Sequence, residues 1–333
     1  MGYPFHLSVL IPCYNVERYL DRSLWCLEQQ WDDEESMEII FVNDCSTDGT
    51  LAMLQSFCRK HPHNTVLINR ERTGGVAQAC NDAMRAARGR WITFFSPDDA
   101  LSSGAYHAMS NDYLRDDIGI LSFKTNIIED VDVLPLPHYK GRVEWEGSSK
   151  DFYNKYLTDF TWIFIYSHEL LDRLGVTFTD LPFFEETLFN LDVFLNDGIK
   201  VRRVDCKSHY HFSRHTSLSS VGPANGNTEM IDNLMAGLEL MEQKKLTQDD
   251  SKVAERITWK QKDIAQRFVP AFICCDHVDV SMMKKIRRQL MDRNIYPYTP
   301  FKGGMKHLLS DLLFRCPRML SVLRPTLMKA YTC

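Results

Sequence analysis

The sequence predicts an α/β fold: a mostly parallel sheet covered by helices on both faces, with a helical appendage at its C-terminal end. Short apolar runs alternate with stretches of helical periodicity over residues 1–221. Each run is apolar at successive positions, which is typical of parallel strands buried on both faces. From residue 222 onward only helical periodicity remains. We therefore expect two domains, 1–221 and 222–333, joined by a linker rich in Gly, Pro and Asn.

The first four strands are predicted because apolar, β-branched runs end at a proline or a polar turn. They cover His6–Pro12, Met37–Asn43, Thr65–Asn69 and Arg90–Phe95. Apolar residues spaced three and four apart predict the elements between and after them. Helices are expected over Val76–Ala87, Gly104–Leu114, Phe183–Leu195, Thr228–Met241 and Val253–Phe268, strands over Ile118–Lys124 and Lys200–Asp205, and a helical or mixed segment over Phe152–Phe164.

The composition indicates a soluble globular protein, with 44% hydrophobic and 25% charged residues in a chain of 333. A formal net charge of −5 argues against a general nucleic-acid binder. Ten cysteines are scattered without Cys-x-x-Cys spacing, which argues against zinc or thioredoxin-type chemistry. The N-terminal segment lacks a signal peptide's features, and no apolar stretch approaches the roughly 20 residues of a membrane span. We therefore expect a cytoplasmic protein.

Two adjacent carboxylates follow the fourth predicted strand, in the run RWITFFSPDDA. Pro97 ends the strand, and Asp98 and Asp99 then lie at its carboxyl end, where open α/β sheets bind their ligands. Carboxylates there suit a divalent cation, and such a cation suits a diphosphate. The alternative is a turn whose acids are simply solvated.

Six ordered segments resemble one known family. They are SVLIPCYN (8–15), IIFVNDCSTDGT (39–50), GVAQACN (75–81), ITFFSPDDA (92–100), EETLF (185–189) and YHFSRHTSLS (210–219). In this order and spacing they resemble the inverting glycosyltransferases of family 2, over roughly residues 5–220. The resemblance implies the Rossmann-like GT-A fold and transfer of a sugar from a nucleotide donor, usually UDP-linked, to an acceptor hydroxyl.

The resemblance also implies which residues bind the nucleotide-sugar. They are Pro12, Tyr14, Asn15, Glu17, Asp44, Gly75, Asn81, Ser96, Asp99 and Arg214. Asp44 would accept a hydrogen bond from the uracil imide, or it is an Asx-turn residue before Thr47. Arg214 would pair with the diphosphate, or it forms a salt bridge to acids of the cleft.

A divalent metal, Mn²⁺ or Mg²⁺, is implied as cofactor. Asp98 corresponds to a metal-binding acid of the family, whereas Ser96 stands where the first acid of that motif is common. His211 is the expected second ligand, and imidazole suits Mn²⁺ better than Mg²⁺. The neighbouring His209 and His215 are expected in a loop or at the surface.

The acceptor side is implied by the segment EETLF. Glu186 corresponds to the family's catalytic aspartate and would act as the single general base that an inverting displacement needs. Glu185 would support it, and Trp162 would contact the acceptor sugar. As alternatives, the two acids stabilise a helix start and the tryptophan belongs to the core.

The segment Lys302–Lys329 mixes leucines with bases, and from Ser281 onward eleven bases face two acids, a net charge of +9. This composition suits contact with an anionic membrane surface on the inner face of the cell membrane, or packing on an acidic domain. We expect a glycosyltransferase of polysaccharide or glycolipid synthesis with a saccharide or lipid-linked acceptor. The alternative is a sugar-nucleotide-binding protein without transferase activity.

Overall fold

The structure is a computed structural model that describes residues 2–30, 36–129, 141–156, 159–213, 228–273, 278–297, 311–313, 315–316 and 319. The chain divides into two compact units, Met1–Ser213 and Arg214–Cys333. The domain boundary predicted near residue 222 lies in the segment 214–227, outside the described residues.

The first unit is built on an eight-stranded sheet with the order β3-β2-β1-β4-β9-β6-β10-β8. Its strands are β1 (Phe5–Cys13), β2 (Met37–Asn43), β3 (Thr65–Asn69), β4 (Gly89–Phe94), β6 (Ile120–Ser122), β8 (Val143–Ser148), β9 (Phe164–Ser167) and β10 (Lys200–Val204). Strand β1 pairs in parallel with β2 and β4, β2 with β3, and β6 with β10. Strand β9 is antiparallel to β4 and β6, and β8 to β10. The predicted mostly parallel sheet is therefore confirmed.

Seven helices are described in this unit. They are α1 (Glu17–Glu28), α2 (Thr50–Lys60), α3 (Gly75–Ala86), α4 (Ala105–Tyr113), α5 (Ser149–Tyr156), α6 (His168–Leu174) and α7 (Glu185–Phe194). Helix α1 turns one apolar stripe inward, which includes Leu20, Leu24 and Leu27. Helix α7 is instead buried on most sides. The segment predicted as helical or mixed over Phe152–Phe164 contains the end of α5 and the first residue of β9.

A second, three-stranded sheet has the order β5-β11-β7. It consists of β5 (Ala100–Leu101), β7 (Thr125–Glu129) and β11 (His209–Ser213). Tyr210 pairs with Ala100, so β11 lies directly beside the acid pair that precedes β5. The expectation that His209 lies in a loop or at the surface is wrong, because this strand buries its side chain completely.

The second unit contains three described helices, α8 (Thr228–Leu246), α9 (Ser251–Ile273) and α10 (Val280–Asp292). Leu234 and Leu238 of α8 and Ile257 of α9 belong to its buried core. In the part of the chain that the structure describes, no helix combines the length and apolarity needed to cross a membrane. Most of the basic segment Lys302–Lys329 lies outside the described residues.

The carboxyl ends of β1, β2 and β4 meet at one edge of the large sheet. Backbone bonds extend the ladder past the strands, with Asp44 N donating to Cys13 O at 2.8 Å and Phe95 N to Leu10 O at 3.0 Å. The strand order changes direction between β1 and β4, which is where open α/β sheets place their ligands. The polar segments after these strands therefore lie together along this edge, and we refer to the space between them as the crevice.

Candidate active site

The loops that follow β1 and β2 are held together by side-chain to backbone hydrogen bonds. Asn15 Oδ1 accepts from Thr47 N at 2.8 Å, and Asn15 N donates to Ser46 Oγ at 3.1 Å. Glu17 Oε2 accepts from Gly49 N at 2.7 Å. Asn15 adopts a φ of +50°, which asparagine tolerates better than most residues. Asn15 and Glu17, predicted as donor-binding residues, thus also fix the shape of the crevice rim.

Pro12 and Tyr14 lie at the start of the same rim. Pro12 is half-buried within β1, whereas the Tyr14 side chain is 52% exposed. An exposed aromatic ring at the carboxyl edge of a parallel sheet can stack on a nucleobase or a sugar. Tyr14 is therefore accessible in the way that its predicted role requires.

Asp44 is buried and is the centre of a hydrogen-bonded turn. Its Oδ1 accepts from Gly74 N at 2.9 Å, and its Oδ2 from Thr73 Oγ1 at 2.8 Å and Gly75 N at 2.9 Å. The Arg70 guanidinium lies 3.4 Å from Oδ1. Gly75 has a φ of +81°, which favours glycine at this turn. The carboxylate thus holds the start of α3 against the end of β2.

Asn81 joins helix α3 to the chain that leads to α7. Its Nδ2 donates to Phe178 O and its Oδ1 accepts from Phe178 N, both at 2.8 Å. Both the nitrogen and the oxygen of the Asn81 amide are bonded to the backbone of Phe178, so the side chain fixes the position of this segment beside α3. The predicted contact between Asn81 and the donor stays a prediction.

Asp98, the first acid of the pair after β4, is held by hydrogen bonds from Ser96 and Arg22. Ser96 Oγ donates to Asp98 Oδ1, and the backbone oxygen of Asp98 accepts from Arg22 Nη2 at 2.8 Å. The Arg22 guanidinium carbon lies 3.5 Å from the centre of the Phe212 ring. The contact between Arg22 and Asp98 could not be predicted from the sequence. The helical periodicity of α1 indicates that Arg22 lies on the polar side of the helix, but it does not indicate what Arg22 binds.

Asp99 is completely buried and faces strand β11. Its Oδ1 lies 3.0 Å from His211 Nδ1 and accepts from Phe212 N at 3.3 Å. Burial raises the pKa of Asp99 to about 6, although the bonds from His211 and Phe212 oppose that rise. His209 Nε2 lies 3.4 Å from Oδ2, but burial lowers the pKa of His209 to about 3. Because His209 is therefore neutral, this contact is not an ion pair.

Trp162 connects the two histidines of β11. Its ring is stacked on His209 at 4.8 Å and on His211 at 5.0 Å between centroids. Phe160 lies 4.7 Å from the same indole. Trp162 is only 8% exposed, so most of its surface is used within the protein.

Glu186 lies at the start of α7 and is held by one residue. Its Oε1 accepts from Thr161 N at 2.8 Å and from Thr161 Oγ1. In the described part of the chain no protein donor reaches Oε2. Burial raises the pKa of Glu186, while the two bonds from Thr161 lower it. One oxygen is thus fixed, and the other is available to a ligand.

Glu185 precedes it on the same helix start. Burial raises the pKa of Glu185 to about 7, and the charge of Glu186 adds to the rise. Phe183, with a φ of +73°, and the buried Phe184 form the turn into α7. Glu185 and Glu186 are therefore adjacent carboxylates whose pKa values are both raised.

A continuous series of contacts through Thr161, Trp162 and His211 links Glu186 to the acid pair, and we call these three residues the wall. Thr161, which binds Glu186, is followed by Trp162, which stacks on His211, and His211 binds Asp99. His211 also acts electrostatically on Glu186 and lowers its pKa. Arg214 lies outside the described residues.

The chemistry of Asp98 and His211 fits a divalent metal. The carboxylate of Asp99 accepts hydrogen bonds, so the proton of a neutral His211 ring is assigned to Nδ1 and the lone pair to Nε2. A carboxylate on the far nitrogen is the usual support of a metal-bound histidine. Within the described ranges no group of three His, Cys, Asp or Glu side chains could hold a metal. Oxygen atoms of a ligand, or side chains outside the described residues, would complete the coordination.

Comparisons with known proteins agree with this architecture. The sequence pattern described as "Glycosyl transferase family 2" matches residues 8–175. Poly(ribitol-phosphate) beta-glucosyltransferase of Bacillus spizizenii is 26% identical over 261 residues, which are 72% of this chain and 38% of that protein. The chain spans less than two thirds of the length of this and other curated relatives.

Two solved structures share the fold. Staphylococcus aureus TarS 1–349 in complex with UDP-GlcNAc has a TM-score of 0.60 at 18% identity, covering 93% of this chain and 92% of that chain. The mannosyltransferase PcManGT of Pyrobaculum calidifontis, in complex with GDP-Man and Mn²⁺, has a TM-score of 0.54 at 15% identity, covering 98% and 84%. At these identities the likeness shows the fold alone.

Proposed function

This chain belongs to glycosyl transferase family 2 and has the GT-A fold, and from that premise we propose that it is an inverting transferase that moves a sugar from a nucleotide donor to an acceptor hydroxyl. One observation carries the mechanistic part of this proposal. The half-buried Glu186 is held through one oxygen by Thr161, partial burial raises its pKa, and it lies on the wall that also holds Asp98 and Asp99.

The donor binds at the carboxyl edge of the sheet in this proposal. Tyr14 is exposed beside the loops that Asn15 and Glu17 hold, and it offers a ring for the base. The Asp44 carboxylate keeps the adjacent turn closed. The Asp44 oxygens already accept three short hydrogen bonds from this turn. A uracil imide N–H would therefore have to use the remaining acceptor position of the carboxylate or displace one of these donors.

A divalent ion, Mn²⁺ or Mg²⁺, would be held by Asp98 and His211. When bound, it neutralises negative charge on the diphosphate leaving group. Asp99 keeps His211 in the tautomer that leaves Nε2 for the ion. Ser96 donates to Asp98 and supports it where the resembled family commonly has another acid.

Glu186 is the general base in this mechanism. An inverting transfer is one displacement, so a single group must take the proton of the acceptor hydroxyl as its oxygen attacks the anomeric carbon. Thr161 occupies Oε1, and Oε2 therefore receives the proton. A raised pKa strengthens the carboxylate as a base at neutral pH, provided that it is ionised.

The acceptor proposed here is a hydroxyl of a cell-envelope polymer or its lipid-linked precursor. The support is the activity named for a relative from Bacillus spizizenii, a poly(ribitol-phosphate) beta-glucosyltransferase. UDP is proposed as the nucleotide because TarS is solved with UDP-GlcNAc and the resembled family commonly uses UDP-sugars.

A thermal-shift screen tests the donor and the ion. A ligand that binds only the folded chain raises its melting temperature. The melting temperature is therefore measured with UDP-, GDP- and dTDP-sugars, each with and without Mn²⁺, and the donor that the chain binds should raise it most. We expect the largest shift with a UDP-sugar plus Mn²⁺, and loss of the metal-dependent part in Asp98→Ala. Equal shifts for all nucleotides, or a metal-dependent shift that survives in Asp98→Ala, would contradict the assignment.

A sugar-nucleotide-binding protein without transferase activity is the second candidate. It is favoured by Ser96, which supplies no charge where an acid is common, and by the Thr161 bonds that engage one oxygen of Glu186. Hydrolysis of a UDP-sugar that is lost in Glu186→Gln would exclude it. Donor binding without hydrolysis or transfer to any envelope polymer would support it.

A further inference from the structure

Helix α10 (Val280–Asp292) has a basic face that the transferase mechanism does not use. Its opposite face is buried, with Met283, Ile286 and Leu290 at most 3% exposed. Asp279 caps the helix by accepting from Met282 N at 2.8 Å. The helix is therefore anchored, and the orientation of its outer face is fixed.

The outer face consists of Lys284, Lys285 and Arg288, with Met291 one turn further along. At 3.6 residues per turn these four positions fall on one side of the helix. The three basic side chains are exposed, and Met291 is 49% exposed. We call these four residues the basic face of α10.

Few ion pairs in the described part of the chain neutralise the basic face of α10. Lys284 and Lys285 have no ion pair there, and Arg288 reaches Asp292 only at 3.9 Å. Arg293, at the end of the same helix, is by contrast bound to Glu239 of α8. Arg287 of this helix lies over the Tyr296 ring, at 5.9 Å from its centre. Two bases of this chain segment, Arg287 and Arg293, are thus used for internal packing, and three remain exposed to solvent.

We propose that the basic face of α10 docks on an anionic lipid surface. Clustered bases next to a membrane are attracted to acidic headgroups, and each adds to the affinity. The exposed Met291 favours a bilayer over a soluble polyanion, because an apolar side chain gains from entering the headgroup region. The chain as a whole has a formal charge of −5, so the attraction comes from this local cluster rather than from net charge.

Vesicle co-sedimentation of the full chain tests the proposal. We expect binding to phosphatidylcholine vesicles that contain phosphatidylglycerol, no binding to pure phosphatidylcholine, and weakening at high salt. The variant K284Q/K285Q/R288Q should lose on the order of a hundredfold in affinity. The control R59Q/K60Q/K252Q removes the same charge from exposed positions elsewhere and should bind as the unchanged chain does.

Circular dichroism of both variants checks that the exposed substitutions leave the fold intact. Two results would overturn the proposal. One is full binding by K284Q/K285Q/R288Q, which would assign membrane contact to another segment. The other is binding to soluble polyphosphate but not to phosphatidylglycerol vesicles, which would make the partner an anionic polymer. Neither result bears on sugar transfer, so this proposal and the proposed function fail separately.

Discussion

The two sides of the crevice hold their carboxylates in different ways. On the proposed donor side, Asp44 accepts three short hydrogen bonds from one turn and lies near Arg70. On the proposed acceptor side, Thr161 is the one residue of the described chain that binds Glu186, and burial raises the pKa of Glu186. A buried carboxylate surrounded by donors organises a loop, whereas one with few donors retains the proton affinity that base catalysis requires.

Replacing Glu186 tests this contrast most strongly. Glu186→Gln keeps the shape and the bonds from Thr161 but removes the proton acceptor. We expect transfer to fall about a thousandfold, since general bases contribute on that order. Transfer of labelled sugar measures the loss, and calorimetry with the donor should give an unchanged affinity. Full turnover in Glu186→Gln would end the assignment of the base.

Replacing Asp44 should act on stability instead. Asp44→Asn leaves the amides of Gly74 and Gly75 and the Thr73 hydroxyl without a charged acceptor. We expect the free energy of unfolding to fall by about 2 kcal/mol, the usual order for buried bonds to a charged group. Urea unfolding measures it, with Glu186→Gln as the comparison that keeps its stability. Equal losses in both variants would remove the distinction between the two sides.

Replacing Thr161 should change the pKa of Glu186, the proposed general base. Thr161→Val removes the hydroxyl bond that favours the ionised form of Glu186, so the pKa of the carboxyl rises further. The acidic limb of the kcat/KM profile should then move to higher pH by about one unit. Thr161→Ser keeps the hydroxyl and should restore the original profile. A limb at the same pH in all three proteins would show that Thr161 does not act on the catalytic group.

Glu185 should affect the pH dependence of stability. Its folded-state pKa of about 7 lies above that of an ordinary glutamate, so between those values the folded chain keeps a proton that the unfolded chain releases. Stability therefore decreases as pH rises through this window. Urea unfolding across it should show a shallower decrease in Glu185→Gln. An identical slope would mean that Glu185 titrates as an ordinary surface acid.

The sequence predicted most of the large sheet and both groups of acids. The strands β1 to β4 were predicted within a residue or two. Continuous apolar runs mark β1, β2 and β4, which are buried on both faces, whereas β3 is a partly exposed edge strand. The small sheet was missed, since β5 has two residues and its pairing depends on contacts distant in the chain. Burial of His209 was missed for the same reason.

The supporting residues of the site were harder to predict than the charged ones. Thr161 and Arg22 carry no motif, and their roles depend on which helix or turn the fold brings beside them. The sequence identified Glu186 and Asp98 as candidate chemical groups. Only the structure describes the wall of Thr161, Trp162 and His211 that lies between them.

In the proposed mechanism, Glu186 removes the acceptor proton in a single displacement. The anomeric configuration of the product tests it most directly, because one displacement inverts the configuration of the donor. NMR of the product made from an α-linked UDP-sugar should show a β-linkage. An α-linked product would contradict the mechanism, whatever the fold and the family.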